Sequence, residues 1–265
     1  MPELPDVAIF TQYLNATALH QKITSVQARS SDVLVDLAPS QLEKELGGHR
    51  FESSARHGKY LFAALDNGKW LVFHFGMTGF LKYFKKPEKD PSHDRLQISF
   101  SNGHHLAFDC QRKLGKIYLR DDSKAFTKEK ALGPDALDPN LDFVFFSEAL
   151  GKSKAAVKSA LMNQQIVAGI GNVYSDEILF QAGIHPKTKA GHVDKKSLQT
   201  VFEQMKEVLR KAIERRADPE KFPETYIIAQ RHGKGVCPAC GGKIERLKIS
   251  GRSAYYCPQC QIRKD

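Results

Sequence analysis

The sequence CPAC at residues 237–240 and the sequence CPQC at residues 257–260 form two cysteine pairs near the end of the 265-residue chain. This spacing is typical of four thiolates that close tetrahedrally around one zinc ion. Because a closed site leaves no position for water, we expect one structural Zn²⁺ ion. Two disulfides in a secreted protein are disfavoured, since the chain does not open with a signal-peptide pattern. The expected ligands are Cys237, Cys240, Cys257 and Cys260.

The sequence between the cysteine pairs predicts a β-hairpin. Residues 249–256 read ISGRSAYY, which would place Arg252 at the hairpin turn. A rigid arginine at such a turn can bind a DNA phosphate. An isolated turn arginine is more often only solvated, so this role depends on the rest of the chain.

Residues 161–174, LMNQQIVAGIGNVY, predict a helix, a glycine-containing turn and a second helix. We expect Gly169 and Gly171 to break the first helix and Asn172 to cap the second. Exposed backbone N–H groups at such a helix start form a site for a DNA phosphate. The Gly-x-Gly pattern alone is weak, and an ordinary helical hairpin is the alternative.

The sequence PELPD at residues 2–6 gains chemical meaning if Met1 is removed, because Pro2 would then present a secondary amine. An α-amino group titrates near pH 7.7 to 8.0, against about 10.4 for lysine, so a fraction of it is a neutral nucleophile at cellular pH. Glu3 could supply proton transfers beside that amine. A helix is predicted from about Asp6 to Leu19, with Asp6 at its N-cap or first turn. A proline-rich start before a capped helix is the alternative interpretation.

The charge balance favours a polyanionic partner. The chain has 40 Lys and Arg against 30 Asp and Glu, a formal charge of +10 and a pI near 9.3. Nucleic acid is the leading candidate. A membrane-surface role is weaker, because the positive charge is spread along the chain and no run of about 18 apolar residues occurs. We expect a cytoplasmic protein.

Periodicity divides the chain into a β part and a helical part. Alternating apolar residues around 71–75 and 96–100 predict strands, and Asn-Gly pairs at 67–68 and 102–103 predict their turns. Apolar residues at helical spacing between 198 and 213 predict one buried helix face. The expected domains are an N-terminal sandwich at 1–132, a linker at 133–145, a helical domain at 146–236 and a zinc finger at 237–265.

Four chemically unrelated motifs resemble, in their order along the chain, the formamidopyrimidine-DNA glycosylase and endonuclease VIII family. They are PELP at 2–5, HFGMTG at 74–79, the helix turn at 171–172 and the four-cysteine finger. The resemblance spans nearly the whole chain. It implies an α+β fold, with an N-terminal β-sandwich flanked by helices and a C-terminal helical domain that holds a helix-two-turns-helix motif and the finger. It further implies a monomer that acts on double-stranded DNA containing damaged bases or abasic sites, with no membrane partner. The implied location is the bacterial cytoplasm, in association with the nucleoid.

The resemblance also implies catalytic roles. Pro2 would be the Schiff-base nucleophile, Glu3 its acid/base partner and Lys59, in RHGKY at 56–60, the catalytic lysine beside the lesion. Asp6 would lie near this machinery.

The same resemblance implies a set of DNA contacts. The family flips the damaged nucleotide and fills the vacated stack with side chains. Met77, Arg112 and Leu114 would be these fillers. Backbone contacts would come from His93, Lys158, Asn172 and Arg252.

Three departures from the family pattern leave the lesion open. Asp6 stands where many relatives carry Glu, Leu114 stands where the oxidised-purine branch usually has Phe, and residues 217–236 look short against that branch. The PELP start still favours formamidopyrimidine or oxidised-purine substrates. Oxidised pyrimidines remain the alternative.

Two functions of other classes compete with a bifunctional glycosylase and lyase. One is a non-catalytic zinc-finger DNA-binding protein, which intact Pro2 and Glu3 argue against. The other is an RNA-binding zinc ribbon, which needs no proline amine.

Overall fold

The computed structural model describes residues 1–263, which divide into two compact units. The first unit consists of Met1–Pro2 and Asp6–Lys130, and the second consists of Glu3–Pro5 and the described residues from Ala131 onwards. The division after residue 130 falls close to the predicted limit at 132. The finer limits of linker, helical domain and finger stay predictions.

The first unit contains two four-stranded antiparallel sheets, with strand orders β1-β6-β7-β5 and β2-β3-β4-β8. Phe73 of one sheet and Phe108 of the other bring their ring centroids to 5.8 Å, so the sheets share one apolar core. This is the expected sandwich. The strands are β1 Ile23–Ala28, β2 Phe51–His57, β3 Tyr60–Leu65, β4 Trp70–His74, β5 Gly79–Phe84, β6 Asp94–Phe100, β7 His105–Cys110 and β8 Lys116–Arg120.

Three helices flank or follow these sheets, namely α1 Leu4–Thr17, α2 Pro39–Leu46 and α3 Ser123–Glu129. Helix α1 begins two residues before the predicted start and ends two residues before the predicted end. Asp6 lies in its first turn, where a carboxylate complements the helix dipole. The predicted Asn-Gly turns at 67–68 and 102–103 connect β3 to β4 and β6 to β7.

The second unit packs four helices around its own core, namely α4 Phe143–Gly151, α5 Val157–Leu161, α6 Asn172–Gln181 and α7 Lys195–Glu214. The predicted apolar face of α7 is buried through Leu198, Val201, Met205, Val208 and Leu209. The Asp194 side chain caps this helix by accepting from the Ser197 backbone N–H at 2.9 Å. Among the described residues, no helix is both long and apolar enough to cross a membrane.

The cysteine segment carries the predicted hairpin, formed by β9 Glu245–Ile249 and β10 Arg252–Tyr256. Ser250 and Gly251 make the turn. Arg252 pairs with Ile249 as the first residue of the returning strand, so it flanks the turn instead of lying in it. A small core around Phe180, Ile227 and Ile244 connects this hairpin segment to α6.

Candidate functional site

The Glu3 carboxylate is almost fully buried, at 1% exposure, and lies against the start of α6. It accepts hydrogen bonds from the backbone N–H groups of Gly171 and Val173, both at 2.8 Å, and of Tyr174 at 3.3 Å. These N–H groups have no partner within the helix, and they stand at the positive end of its dipole. The helix start therefore fixes the position of both Glu3 oxygens.

The two glycines of the 161–174 motif make room for the chain around Glu3. A Cβ on Gly171 would lie 2.3 Å from Glu3 Cδ, and a Cβ on Gly169 would lie 2.5 Å from Leu4 Cδ1. Gly169 also has φ +117°, which other residues rarely adopt. Both positions thus need glycine because Glu3 and Leu4 approach the backbone closely.

Three details of the sequence interpretation of this motif were wrong. The first helix ends at Leu161, well before the glycines. Gly171 occupies the N-cap position of α6, and Asn172 is its first helical residue. The N–H groups of Gly171, Val173 and Tyr174 are not available to a DNA phosphate, because they already donate to the buried Glu3 carboxylate.

Lys158 is buried at 1% exposure inside a charged network of the second unit. Its Nζ donates to Asp176 Oδ1 at 2.6 Å, to Ser175 Oγ at 2.9 Å and to the Asn172 carbonyl at 3.0 Å. Burial lowers the pKa of Lys158, opposed by the charge of Asp176. An ammonium so enclosed is not presented to a DNA phosphate, so Lys158 is better described as part of the framework beneath Asn172.

Asp176 and Arg231 belong to the same network and were not identified from the sequence. Arg231 donates to Asp176 Oδ2 through Nη2 at 2.9 Å and to the Asn172 carbonyl at 3.3 Å. The backbone N–H of Tyr255, in β10, also donates to Asp176 Oδ2 at 3.1 Å. Burial raises the pKa of Asp176, opposed by Lys158 and Arg231. One indication of this network was present in the sequence, because α6 carries two adjacent acidic residues, Asp176 and Glu177. Both are buried in the structure.

In the first unit, Lys59 occupies the tight turn between β2 and β3 and is 8% exposed. Its charge also affects His74, on the neighbouring strand β4. Burial of the imidazole is the main cause that lowers the pKa of His74 to about 4, and the positive charge of Lys59 is the second cause. His74 is therefore neutral at pH 7, and its Nδ1 accepts the Gly76 backbone N–H at 3.3 Å.

The remaining predicted residues of the first unit lie near its surface. Met77 is 41% exposed and Leu114 is 47% exposed. Arg112, two residues before Leu114, is also exposed. The backbone N–H of His93 donates to Asp109 Oδ2 at 2.8 Å, which fixes the loop before β6. Pro2 and Asp6 are half-buried, and the preceding Met1 is 48% exposed.

The four cysteines converge as the sequence predicts, with all four sulfur atoms within 4.8 Å of one another. The Cys237–Cys260 and Cys240–Cys257 sulfur pairs are 3.7 and 3.5 Å apart. Tetrahedral zinc with Zn–S bonds of about 2.3 Å requires sulfur separations of about 3.8 Å. The donor set therefore fits one structural zinc ion.

Arg252 borders a cavity of about 240 Å³ within the second unit. Ser159, Asn163 and Ser250 also line it. The Ser159 and Ser250 hydroxyl oxygens are 3.0 Å apart, so the hairpin turn is held against α5. An exposed guanidinium beside several polar groups is suited to an anion.

These features define a class of protein: a two-unit protein with an N-terminal β-sandwich, a helical second unit and a four-cysteine metal site. Family models for the formamidopyrimidine-DNA glycosylase N-terminal domain, its H2TH domain and the zinc finger found in FPG and IleRS match residues 1–117, 132–223 and 235–262. The chain belongs to the formamidopyrimidine-DNA glycosylase family, whose members are glycosylase and AP lyase enzymes.

Individual relatives match over almost their full length. Formamidopyrimidine-DNA glycosylases from Geobacter metallireducens and Ureaplasma parvum are each 33% identical over 98% of this chain and 100% of theirs. The Lactococcus lactis enzyme, solved non-covalently bound to DNA with an AP site, gives a TM-score of 0.90 at 30% identity, covering 98% of this chain and 100% of that one. MutM in complex with DNA containing carbocyclic 8-oxo-G gives 0.90 at 31% identity, covering 99% and 100%.

Proposed function

We propose that this protein removes oxidised bases from double-stranded DNA and then cleaves the strand at the abasic site through β,δ-elimination. Formamidopyrimidine and oxidised-purine lesions are its proposed main substrates. The buried Glu3 carboxylate at the α6 start supports this proposal most directly. A carboxylate held by backbone N–H groups beside the residue that becomes the terminal amine when Met1 is removed is an arrangement suited to proton transfer, which a non-catalytic protein does not need.

The proposed chemistry begins at Pro2 after Met1 is removed. The neutral secondary amine attacks C1′ of the damaged nucleotide, the glycosidic bond breaks, and the base leaves with the proton of the amine. The C1′–O4′ bond of the sugar then breaks, O4′ accepts a proton, and the nitrogen lone pair forms a C1′=N iminium bond. The resulting iminium ion cannot lose its charge by deprotonation at nitrogen, so it remains an electron sink. Loss of a C2′ proton then expels the 3′ phosphate, and a second elimination expels the 5′ phosphate.

Glu3 is proposed to carry protons to and from the sugar during these steps. The α6 N–H groups fix both its oxygens, so the carboxylate does not have to be ordered when substrate binds. Lys59 is proposed to contact the phosphate or leaving group by its charge, as the family resemblance implies. Asp6, in the first turn of α1, is proposed to influence the hydrogen bonding near Pro2.

The DNA contacts are proposed to come from both units. Met77, Arg112 and Leu114 would fill the vacated stack, and His93, Asn172 and Arg252 would contact phosphates. One zinc ion held by the four cysteines supplies folding free energy to the finger that carries Arg252. The bacterial relatives are consistent with action on the nucleoid.

Oxidised pyrimidines are the second candidate substrates, because exposed Leu114 stands where the oxidised-purine branch usually has Phe. The discriminating experiment uses duplexes with one abasic site, 8-oxoguanine, formamidopyrimidine, thymine glycol or dihydrouracil opposite each base. We expect nicking of the abasic duplex and fastest excision of the purine-derived lesions. Faster excision of thymine glycol would establish the alternative, and an intact abasic duplex would indicate a non-catalytic protein.

A further inference from the structure

Two short loops of the first unit carry all three proposed stack-filling residues. The first wedge loop, residues 75–78, connects β4 to β5 and carries Met77. The second wedge loop, residues 111–115, connects β7 to β8 and carries Arg112 and Leu114. Surface loops are usually mobile, and a mobile loop must be ordered before its side chains can enter a base stack.

The first wedge loop is fixed at its base. Phe75 is 1% exposed and packs in the sandwich core against Phe10, with ring centroids 4.5 Å apart. The backbone N–H of Gly79 donates to the Phe75 carbonyl at 2.8 Å, which closes the loop on itself. Neutral His74 accepts the Gly76 N–H as described above. Met77, at 41% exposure, is the most exposed residue of this loop.

The second wedge loop is held by a side chain from β6. Arg95 donates through Nε to the Cys110 carbonyl at 3.0 Å and through Nη2 to the Gln111 carbonyl at 3.4 Å. Cys110 is fully buried, and its Sγ accepts the Gly115 N–H at 3.3 Å. One guanidinium thus spans two consecutive carbonyls where the loop leaves its strand.

The two wedge loops are also joined to each other. The Arg112 backbone N–H donates to Thr78 Oγ1 at 3.2 Å. Gly76 has φ +58°, and a Cβ there would lie 2.4 Å from the Leu114 carbonyl carbon. The loop backbones are therefore in direct contact, with no space for an intervening side chain.

We propose that Thr78 and Arg95 are positioning residues that lock both loops into one preformed wedge, so that Met77, Arg112 and Leu114 enter the duplex together. This inference rests on the proposed function. Expelling a stacked base costs a few kcal/mol even when damage weakens the stack. A wedge that is ordered during folding adds no loop-ordering cost to that step. The two residues should matter for base expulsion and much less once the base is gone.

The first test removes the Thr78 hydroxyl while keeping the shape of the side chain. Thr78→Val should lower single-turnover excision of the preferred lesion about three- to tenfold, the range that one lost hydrogen bond gives. Cleavage of a ready-made abasic site should change less than about twofold, because no stacked base has to be expelled. Thr78→Ser retains the hydroxyl and should restore excision.

The second test separates positioning from phosphate binding by Arg95. Lysine keeps the charge but cannot span two carbonyls, so Arg95→Lys should show the same selective loss of excision. If Arg95 contacted a phosphate instead, lysine would preserve most of the activity, and Arg95→Ala would lower the salt dependence of DNA binding. Either of these two results would overturn the assignment of Arg95.

A fluorescence measurement keeps this inference separable from the proposed function. A duplex with 2-aminopurine opposite a tetrahydrofuran abasic analogue reports wedge insertion without any chemistry. Saturating wild-type protein should raise the fluorescence, and Thr78→Val should lower that rise while Thr78→Ser preserves it. Equal signals and equal excision-to-cleavage ratios in all three proteins would overturn the preformed wedge. A wild-type protein that excises no lesion would instead refute the proposed function.

Discussion

The surrounding backbone fixes the position of the Glu3 side chain. Its two oxygens accept three backbone N–H groups of one helix start, and Gly171 leaves just enough space for its Cδ atom. Small displacements of such a group are expensive for catalysis, because proton transfer requires hydrogen-bond geometry. Substitution of Gly171 therefore tests whether base excision depends on the position of the Glu3 carboxylate.

Gly171→Ala should lower base excision by about ten- to a hundredfold, the range associated with a misplacement of about 1 Å at a reacting group. The added Cβ would lie 2.3 Å from Glu3 Cδ and must displace it. Gly151→Ala is the matched control, since a Cβ there meets nothing within 4 Å. Single-turnover rates of both variants provide the measurement, and equal rates would show that Glu3 placement does not limit the reaction.

Arg112→Ala should lower base excision more than cleavage of a ready-made abasic site, because a stack filler matters most when a base must be expelled. The side chain is exposed, so its removal should leave folding intact. The ratio of the two rates under single-turnover conditions is the measurement. Equal losses on both substrates would indicate phosphate binding instead of stack filling.

Helix α6 is the element that organises the second unit. Its start holds Glu3, and its middle turns bury Asp176 and Glu177. Asp176 binds Lys158, Arg231 and the Tyr255 backbone, while Glu177 accepts the Ile228 backbone N–H at 3.0 Å. The helix thus connects the Glu3 carboxylate, α5 and the finger through hydrogen bonds to one short segment.

Glu177 should make the stability of the protein depend on pH. Burial raises its pKa from 4.5 to about 7. The folded protein keeps this proton to higher pH than the unfolded chain, so the carboxyl's contribution is fully present below about pH 4.5 and is lost as pH rises through about 7. The shift corresponds to about 3 kcal/mol in the free energy of unfolding.

Denaturant unfolding of zinc-loaded protein between pH 5.5 and 7.5 measures this effect. Wild type should lose stability across that interval relative to Glu177→Gln, which cannot titrate there. Because both proteins carry the same other titrating groups, the difference between their curves isolates this carboxyl. Parallel curves would show that Glu177 has the same charge in both states.

The zinc finger is the second element whose role can be tested separately from the rest of the chain. Cys237→Ser should abolish zinc binding and weaken lesion-DNA affinity, since zinc binding supplies folding free energy to this segment, while the first unit stays folded. Ile262→Ser is the control, because Ile262 is 67% exposed and lies outside the cysteine cluster. Unchanged DNA affinity after verified loss of zinc would contradict the finger's role.

The sequence predicted the elements that depend on a local residue pattern. It did not predict contacts between residues that are far apart in the chain. The cysteine spacing predicted the finger, and the apolar period predicted the buried face of α7. The burial of Lys158 could not be predicted, because its partner Asp176 lies in another helix. The sequence predicted a turn at Gly169 and Gly171. The reason why these positions need glycine could not be predicted, because Glu3 and Leu4, which approach them, lie more than 160 positions away in the chain.

At the scale of the whole molecule, the proposed reaction requires a free secondary amine at the start of the chain. Retained Met1 would make the Pro2 nitrogen an amide, which has no basic lone pair, so an unprocessed chain should be inactive as a lyase. Lys59 is the rival nucleophile, because desolvation can lower the pKa of a buried lysine enough to form a Schiff base. The two residues can be distinguished by the covalent product.

Borohydride trapping on abasic DNA tests the central claim most directly. Reduction of the iminium ion should give a stable protein–DNA adduct whose peptide map places the sugar on Pro2. A chain that retains Met1 should give no adduct. An adduct mapped to Lys59, or full trapping by the Met1-retaining form, would contradict the proposed mechanism.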